Sequence, residues 1–454
     1  MSKIGSNKAR QIDMLHGSLL DKIVLFALPI AATSILQQLF TSVDVAVVGK
    51  FASSQAQAAV GSNGALINLL LNLFVGMSIG ANVVIASYIG QKKQEKIQNT
   101  VHTAMVVAVL SGLVLLMIGR LIAKPALILM NTPHDVLDLA ILYLRIYFLG
   151  MPFLMIYNFG AAILRSIGDT RRPLYCLLIS GVVNTGLNLF LVIVFHLDVA
   201  GVAIATVVSN VINAGMVWYF LVHEEGVIKI HYNKLYITKS ELVKMIQIGV
   251  PAGLQGMVFS VANIFIQRAL NGYGSNAVAG SAVALNFEFF TYFVINAFNQ
   301  SAVTFTSQNY GAGNYERCKK IFRLCMLMSI TISALVGWSF VLGKSFFISL
   351  FTSKAAVEKY AIIRMERILT LNFLCSTYEI SGSALRGMGY SMTPAMLTMV
   401  GTCVFRLVWI ATVCKKFRGF HVLLSVYPIT WIITGIAVMV AYYLIRRKCF
   451  ANIH

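Results

Sequence analysis

The stretch Ala65–Gly90 reads "ALINLLLNLFVGMSIGANVVIASYIG", and this pattern decides the fold class. It contains no charged side chain from its first residue to its last. A helix needs about 20 predominantly apolar residues to cross the hydrocarbon layer of a membrane. Lipid offers no hydrogen-bond partner to backbone amides, so such a segment must be helical. The stretch therefore predicts a transmembrane helix.

The composition of the whole chain extends this prediction. The chain has 454 residues, of which 58% are hydrophobic and 11% are charged, whereas a soluble protein has about 25% charged residues. We expect an all-α polytopic membrane protein with twelve transmembrane helices and no signal peptide in the polar segment 1–20. The helices are expected to begin near Asp21, Ala58, Val101, Leu137, Leu174, Val199, Leu242, Val278, Ile321, Lys359, Thr393 and Val422.

The positive charge is distributed unevenly along the chain. The formal net charge is +20, and most Lys and Arg side chains lie in alternate loops. By the positive-inside rule these loops and both termini are cytoplasmic. We therefore expect a multi-pass protein of the plasma (inner) membrane that works as a monomer. Its expected partners are the lipid bilayer and a small organic substrate, with no nucleic acid.

A sequence repeat divides the chain into two halves. Leu164–Pro173 reads "LRSIGDTRRP" and Leu385–Pro394 reads "LRGMGYSMTP", with leucine, arginine, glycine and proline in the same places. The glycine after the helix predicts a left-handed cap, and the proline opens the next helix. Six spans per half is an even number, so the halves are predicted to be parallel repeats that form two pseudo-symmetric six-helix bundles. The predicted divisions are a tail (1–20), a first lobe (21–222), a linker (223–240), a second lobe (241–446) and a tail (447–454).

Polar side chains in the first half form a candidate ion site. Gln37, Thr41 and Asp44 share one face of span one, where Gln37 and Thr41 are candidates for the wall of a substrate cavity, and Asn184 and Asn188 share one face of span five. A charged Asp in a membrane helix costs about 2.5–3.5 kcal/mol, so Asp44 is expected to bind a proton or a sodium ion. Hydrogen bonding between helices is an alternative role for the two asparagines.

The second half contains a further set of polar groups in its predicted spans. Arg406 is expected mid-span, where an unpaired guanidinium is costly, and we predict that it faces a cavity and pairs with Glu379 or Glu288. The set forms either a polar cavity wall with a second protonation site or a buried ion pair between helices. Its members are Gln255, Asn263, Glu288, Tyr292, Asn299, Glu379 and Arg406.

Enzyme motifs are scarce in the sequence. The chain has no GxxxxGK[ST] phosphate-binding loop and no HExxH metal motif. Its seven cysteines show no CxxC spacing and are expected to be packing residues. We therefore expect a protein that is not an enzyme and that needs no cofactor and no bound metal, with a proton or a sodium ion at Asp44 as the coupling ion.

Several segments together resemble one family of transporters. The segments "SVDVAVVG", "VAGVAIATVVS", "VPAGLQ" and "SQNYGAGNYER" occur in this order. In these and in the repeated motif, the chain resembles the multidrug and toxic compound extrusion (MATE) family. The resemblance implies a secondary active antiporter that exports amphipathic, cationic organic compounds. Alternating access would open a cavity lined by spans one, two, seven and eight to each side in turn.

The resemblance also assigns the ion site. It is closer to the DinF-like branch, whose Asp, Asn, second Asp and Thr correspond here to Asp44, Asn184, Asn188 and Thr206. Because Asn188 replaces the second acid, the resemblance implies proton coupling in preference to sodium. The NorM-like branch has acids near Phe259 and Cys375, and neither residue is acidic here.

Two other functions remain open from the sequence. A flippase for lipid-linked oligosaccharides has a similar two-lobed architecture and would need a broad basic cavity. A passive channel would conduct without exchanging a counter-ion.

Overall fold

The fold is entirely helical in the part of the chain that the computed structural model describes, residues 11–130 and 132–451. This confirms the predicted all-α class. Eleven helical segments within these ranges are long and apolar enough to cross a membrane.

The described residues of the first half form eight α-helices, and the fourth and fifth membrane spans are irregular. A 3₁₀ turn at Phe148–Gly150 joins α5 to α6, and a π-helical turn at Phe190–Val194 extends α7. The helices are α1 Leu20–Phe51, α2 Ser54–Ser62, α3 Gly64–Gly90, α4 Gln94–Leu129, α5 His134–Tyr147, α6 Met151–Ser166, α7 Arg171–Leu189 and α8 Asp198–Val222.

In the second half, the residues up to 451 form ten α-helices. A 3₁₀ turn at Asn372–Leu374 precedes α14, and a π-helical turn at Met399–Val404 joins α15 to α16. The helices are α9 Lys239–Asn271, α10 Ser275–Gly311, α11 Tyr315–Leu342, α12 Lys344–Ser349, α13 Ala355–Ile368, α14 Cys375–Gly387, α15 Met392–Thr398, α16 Phe405–Ala411, α17 Val413–Lys416 and α18 Phe420–Ala451.

The helix boundaries reproduce the sequence repeat. Helices α5 and α13 begin at His134 and Ala355, and α7 and α15 begin at Arg171 and Met392. Both pairs of first residues are separated by the same interval as the two copies of the repeated motif. The predicted left-handed glycines of that motif are confirmed, since φ is +87° at Gly168 and +93° at Gly389.

The tenth predicted span is not one continuous helix. It consists of α13 and α14, with a break at residues 369–374 that includes the 3₁₀ turn. Helix α13 contains Arg364, Glu366 and Arg367 in its last two turns, which makes this segment much less apolar than the other spans. The equivalent segment of the first half has its break at Phe148–Gly150.

The chain forms two compact units. The N-terminal unit consists mainly of Ala32–Gly253, and the C-terminal unit consists of Met14–Ala31 together with the chain from Leu254 onward. The boundaries therefore fall inside α1 and α9. The division at 21–222 and 241–446, which follows the repeat, stays a prediction.

A buried charge cluster in the N-terminal unit fixes the start of α7. The Asp169 carboxylate accepts hydrogen bonds from the backbone N–H groups of Arg171 and Arg172 at 3.1 and 3.0 Å. The Arg172 guanidinium bonds to Asp169 and, at 2.5 Å, to Glu224 just beyond α8. Both acids are buried, so the cluster ties the start of α7 to the end of α8.

Glycines bring α3 and the first part of α9 into backbone contact within the N-terminal unit. A Cβ atom on Gly76 would lie 2.3 Å from the backbone nitrogen of Gly253 and 2.7 Å from the carbonyl oxygen of Gly249. Small residues at such a crossing allow two helices in lipid to approach closely.

This crossing should not tolerate a methyl group. We expect Gly76→Ala to lower the free energy of unfolding by about 1–3 kcal/mol, because the two backbones must separate. Gly215→Ala in α8 is the matched control, since no atom lies within 4 Å of its added Cβ. Thermal unfolding of both variants in detergent tests this. Equal midpoints for the two variants would contradict the close crossing.

Candidate functional site

The first candidate site is centred on the half-buried carboxylate of Asp44, in the second half of α1. The Asn188 side-chain amide of α7 donates a hydrogen bond to Asp44 Oδ1. The same amide lies 3.3 Å from Asn184 Oδ1. Asn184 and Asn188 are 5% and 0% exposed. The structure thus brings together three of the four residues predicted for the ion site.

Close packing of α7 on α1 makes this contact possible. Gly181 lies one turn before Asn184, and a Cβ atom there would be 1.8 Å from a ring carbon of Phe40. The absence of a side chain lets the Phe40 ring pack directly on the α7 backbone.

Thr206 does not join the site through its hydroxyl. Its Oγ1 donates to the backbone carbonyl of Val202 in its own helix at 3.0 Å. Gln37 and Thr41 are exposed, and the Thr41 hydroxyl donates to the Gln37 carbonyl at 2.9 Å. Ser and Thr hydroxyls often bond to their own helix in this way, so sequence spacing alone did not reveal it.

Two tyrosines of α5 were missed by the sequence analysis. Tyr143 and Tyr147 pack in the same hydrophobic cluster as Val43 and Val45, the residues on either side of Asp44. The two rings stack with centroids 5.6 Å apart. The site therefore consists of one carboxylate, two amides and two nearby phenols. Such a set of neutral groups suits a carboxyl that exchanges a proton or a monovalent cation.

The second candidate site is a cavity of about 440 Å³ within the C-terminal unit. Four of the predicted residues line it: Asn263, Glu288, Tyr292 and Arg406. Six of the side chains in its wall are aromatic and come from α9, α10, α14 and α18. They are Tyr292, already named, and Phe259, Phe289, Tyr378, Tyr427 and Trp431. Clefts of about 300–1,000 Å³ with mostly apolar walls and few polar groups are typical small-molecule sites.

An ion pair occupies one part of the cavity wall. Arg364 of α13 donates two hydrogen bonds to Glu288 of α10, from Nε at 2.7 Å and from Nη2 at 3.0 Å. This bidentate arrangement is the strong form of an Arg–carboxylate pair. Arg364 was not among the residues predicted for this site. No local pattern indicates this pairing, because the two side chains are 76 residues apart along the chain.

The predicted pairing of Arg406 with Glu288 or Glu379 is wrong. Glu288 is bonded to Arg364, and Glu379 accepts a hydrogen bond from Asn299 at 3.0 Å. Arg406 is 0% exposed, and none of its three guanidinium nitrogens has a hydrogen-bond partner among the described residues. Its guanidinium lies over the rings of Phe259 and Tyr427, 5.1 and 4.6 Å from their centroids.

These aromatic contacts compensate only part of the cost of burying Arg406. A desolvated cation–π contact contributes about 2 kcal/mol, while burying an unpaired ion costs several kcal/mol. The guanidinium is therefore an unsatisfied positive charge.

The remaining predicted residues form a separate polar cluster in the C-terminal unit. Asn299 accepts a hydrogen bond from Ser383 as well as donating to Glu379. Arg386 donates to Gln255 Oε1 at 2.5 Å. None of these five side chains lines the cavity, so the seven residues predicted in the second half belong to two groups.

Metal binding is not indicated by the described residues, in which no three His, Cys, Asp or Glu side chains are close enough to hold an ion. The candidate sites contain single carboxylates surrounded by amides, phenols and guanidinium groups.

The two repeats also match a known family. A family model described as MatE matches residues 29–190 and again residues 251–412, well over half of the chain. The chain belongs to the MatE family. Members of this family are transporters and not enzymes, which confirms the prediction that the chain is not an enzyme. The resemblance to MATE proteins is likewise confirmed.

Individual MATE proteins are similar over most of the chain. The "Probable multidrug resistance protein YoeA" of Bacillus subtilis is 27% identical over 83% of this chain and 82% of its own length. The "Probable multidrug resistance protein NorM" of Thermotoga maritima is 24% identical over 87% of this chain and 86% of its own length. The fold matches a solved outward-facing multidrug resistance MATE family transporter with a TM-score of 0.88, at 20% identity over 98% of this chain and 99% of that one.

Removing one partner of the Glu288–Arg364 pair should destabilise the folded protein. We expect Arg364→Met to lower the free energy of unfolding by about 3–5 kcal/mol, because it leaves Glu288 buried without its partner. The double variant Arg364→Met/Glu288→Leu should recover most of this loss. Thermal unfolding in detergent measures both.

The exposed pair of Lys344 and Glu366 offers the control. Lys344→Met should cost less than about 1 kcal/mol, as is usual for surface pairs. A double variant that is as unstable as the sum of its two single variants would contradict the coupling of Glu288 and Arg364.

Proposed function

We propose that this MATE protein is a secondary active antiporter that exports amphipathic organic compounds in exchange for protons. The observation that supports this most directly is the half-buried Asp44 carboxylate, whose hydrogen-bond partner is the neutral amide of Asn188. The names of the relatives YoeA and NorM point to drug resistance and support an organic compound as the exported substrate.

The ligands around Asp44 favour a proton over sodium. A sodium ion needs several oxygen atoms directed at one point, because hard cations prefer oxygen ligands. Here the Asn188 amide presents an N–H donor to the carboxylate, and the Thr206 hydroxyl is bonded within its own helix. A proton needs only the carboxylate itself.

Protonation of Asp44 would change the contact between α1 and α7. The charged carboxylate attracts the Asn188 N–H group, and a neutral carboxyl attracts it less. An ion can drive alternating access only if it binds the two states with different affinity. We infer that the Asp44–Asn188 contact provides this difference, so loading of Asp44 alters helix packing in the N-terminal unit.

The substrate class follows from the charges of the two units. The resemblance implies cationic compounds as substrates of the protein, and the carboxylate of Asp44 in the N-terminal unit supports this. The C-terminal cavity has the opposite charge, with two guanidinium groups and one carboxylate in its wall, and does not favour a cation. Proposed partners are therefore a small organic substrate and the lipid bilayer.

The family branch, the membrane orientation and the choice of an exporter over a flippase are also part of this proposal. The Asp44, Asn184 and Asn188 cluster, together with the non-acidic Phe259 and Cys375, supports the DinF-like branch of the family. The alternating basic loops support a plasma-membrane protein with both termini in the cytoplasm. A flippase would need a broad basic cavity, and the C-terminal cavity contains one unpaired Arg among aromatic walls.

Removal of the Asp44 charge should uncouple transport. We expect Asp44→Asn to reduce ethidium accumulation in inverted membrane vesicles at least tenfold when a pH gradient, acid inside, is imposed. The reason is that an amide cannot exchange a proton. A sodium gradient at equal pH should not drive accumulation by the wild-type protein.

Asp138→Asn is the matched control, because Asp138 is an exposed aspartate of α5 in the same unit. It should transport like the wild type. Undiminished pH-driven accumulation by Asp44→Asn, with both variants present in the membrane in equal amounts, would reject Asp44 as the coupling group.

A further inference from the structure

The Arg406 side chain combines full burial with hydrogen-bond donors that no described residue uses. It is fully buried, it lines the cavity of about 440 Å³, and none of its guanidinium nitrogens has a hydrogen-bond partner in the described chain. Buried guanidinium groups in folded proteins are normally bonded to carboxylates, phosphates or carbonyl groups. The structure therefore presents a set of strong donors whose acceptor is not a residue of the described chain.

The acidic residues nearby do not supply that acceptor. Both oxygens of Glu288 are occupied by Arg364, and Glu379 is bonded to Asn299 outside the cavity wall. The charged residues of the wall are thus two guanidinium groups and one carboxylate. A ligand with one negative charge would neutralise the wall, and a cationic ligand would add to the excess charge.

A second unsatisfied group lines the same cavity. The hydroxyl of Ser281 in α10 is buried and has no hydrogen-bond partner among the described residues. A hydroxyl can donate to a ligand oxygen or accept from a ligand N–H group. The cavity therefore has two independent polar positions that a ligand can satisfy.

The aromatic side chains of the cavity wall indicate that the apolar part of the ligand is aromatic. The Arg406 guanidinium lies over the rings of Phe259 and Tyr427, and Phe289, Tyr292 and Trp431 extend the aromatic surface. Flat aromatic rings pack well against such a surface. Carboxylates match the planar fork of an Arg side chain with two parallel hydrogen bonds.

We propose that the C-terminal cavity binds an aromatic monocarboxylate, whose carboxylate pairs with Arg406 and whose ring packs between the aromatic side chains. This inference deepens the proposed function, on which its transport part rests, because it assigns an anionic substrate class to the C-terminal unit. The binding part stands on the cavity alone.

Three probes of nearly equal shape test the charge preference. The full-length wild-type protein in nanodiscs is titrated with 1-naphthoate, 1-naphthalenemethanol and 1-naphthylmethylammonium, and binding is measured by equilibrium dialysis. We expect saturable binding of one naphthoate per chain, at least tenfold tighter than the alcohol, and no competition by the ammonium compound. Equal binding of naphthoate and the ammonium compound would overturn the proposal.

Variants of Arg406 test the position of the anion. Arg406→Met should weaken naphthoate binding at least tenfold while raising the midpoint of thermal unfolding without ligand, because it removes an uncompensated charge. Arg406→Lys should keep part of the affinity, since it retains the charge but loses the bidentate geometry. Arg367→Gln removes an exposed Arg of α13 and should bind naphthoate like the wild type.

Two outcomes would overturn the assignment to Arg406. One is unchanged naphthoate binding in Arg406→Met. The other is an equal loss of affinity in Arg406→Met and Arg367→Gln. If Arg406→Met does not fold, the comparison of Arg406→Lys with the wild type decides, and equal affinity in these two proteins rejects the bidentate pairing.

The Asp44→Asn variant separates this inference from the proposed function. It should still bind naphthoate saturably, because Asp44 does not line the C-terminal cavity, and it should fail to move naphthoate in a pH gradient. Failure of naphthoate binding in the wild type would reject the cavity proposal and leave the antiport proposal standing. Naphthoate binding with pH-driven transport that persists in Asp44→Asn would reject the coupling role and leave the cavity proposal standing.

Discussion

The contact between Asp44 and Asn188 is the interaction on which the N-terminal unit depends. A carboxylate in an apolar helical segment is costly, and its hydrogen-bond partner is a neutral amide from another helix. This contact requires α7 to lie directly against α1, which the packing of Phe40 on Gly181 permits. The buried charges of Asp169, Arg172 and Glu224 fix the start of α7. The geometry of one ion site thus depends on packing along the whole of α7.

The two halves share helix boundaries but differ in the chemistry of their polar sites. Equivalent helices begin at the same interval along the chain at several places. The first half nevertheless has an acid beside amides and phenols, while the second has a paired Glu288 and an Arg406 without a hydrogen-bond partner in the described part of the chain. Backbone architecture in a membrane follows from hydrogen bonding and apolar pattern, and these do not fix the charge at any one position. The same scaffold therefore supports sites of opposite sign.

The sequence predicted the fold well because apolar runs in lipid have one structural solution. The spans, the repeat and the left-handed glycines Gly168 and Gly389 follow from local pattern. The sites were predicted only in part. Spacing along one helix places Asn184 and Asn188 on a common face, but it does not identify the residue opposite. Arg364 pairs with Glu288 although the two are 76 residues apart, and Arg406 has no hydrogen-bond partner among the described residues. Both facts depend on which helix faces meet, and a single sequence does not specify this.

The interruptions at Phe148–Gly150 and at residues 369–374 give each half a point at which one membrane span can bend. A short 3₁₀ segment within a helical span often marks a hinge. Tyr143, which packs near Asp44, and Arg364, which is bonded to Glu288, lie on the 14-residue pieces before these interruptions. When the charge of the neighbouring acid changes, a short piece can tilt about its own joint. The remainder of the span can then keep its place, so a small electrostatic change moves one segment of the helix and leaves the bundle intact.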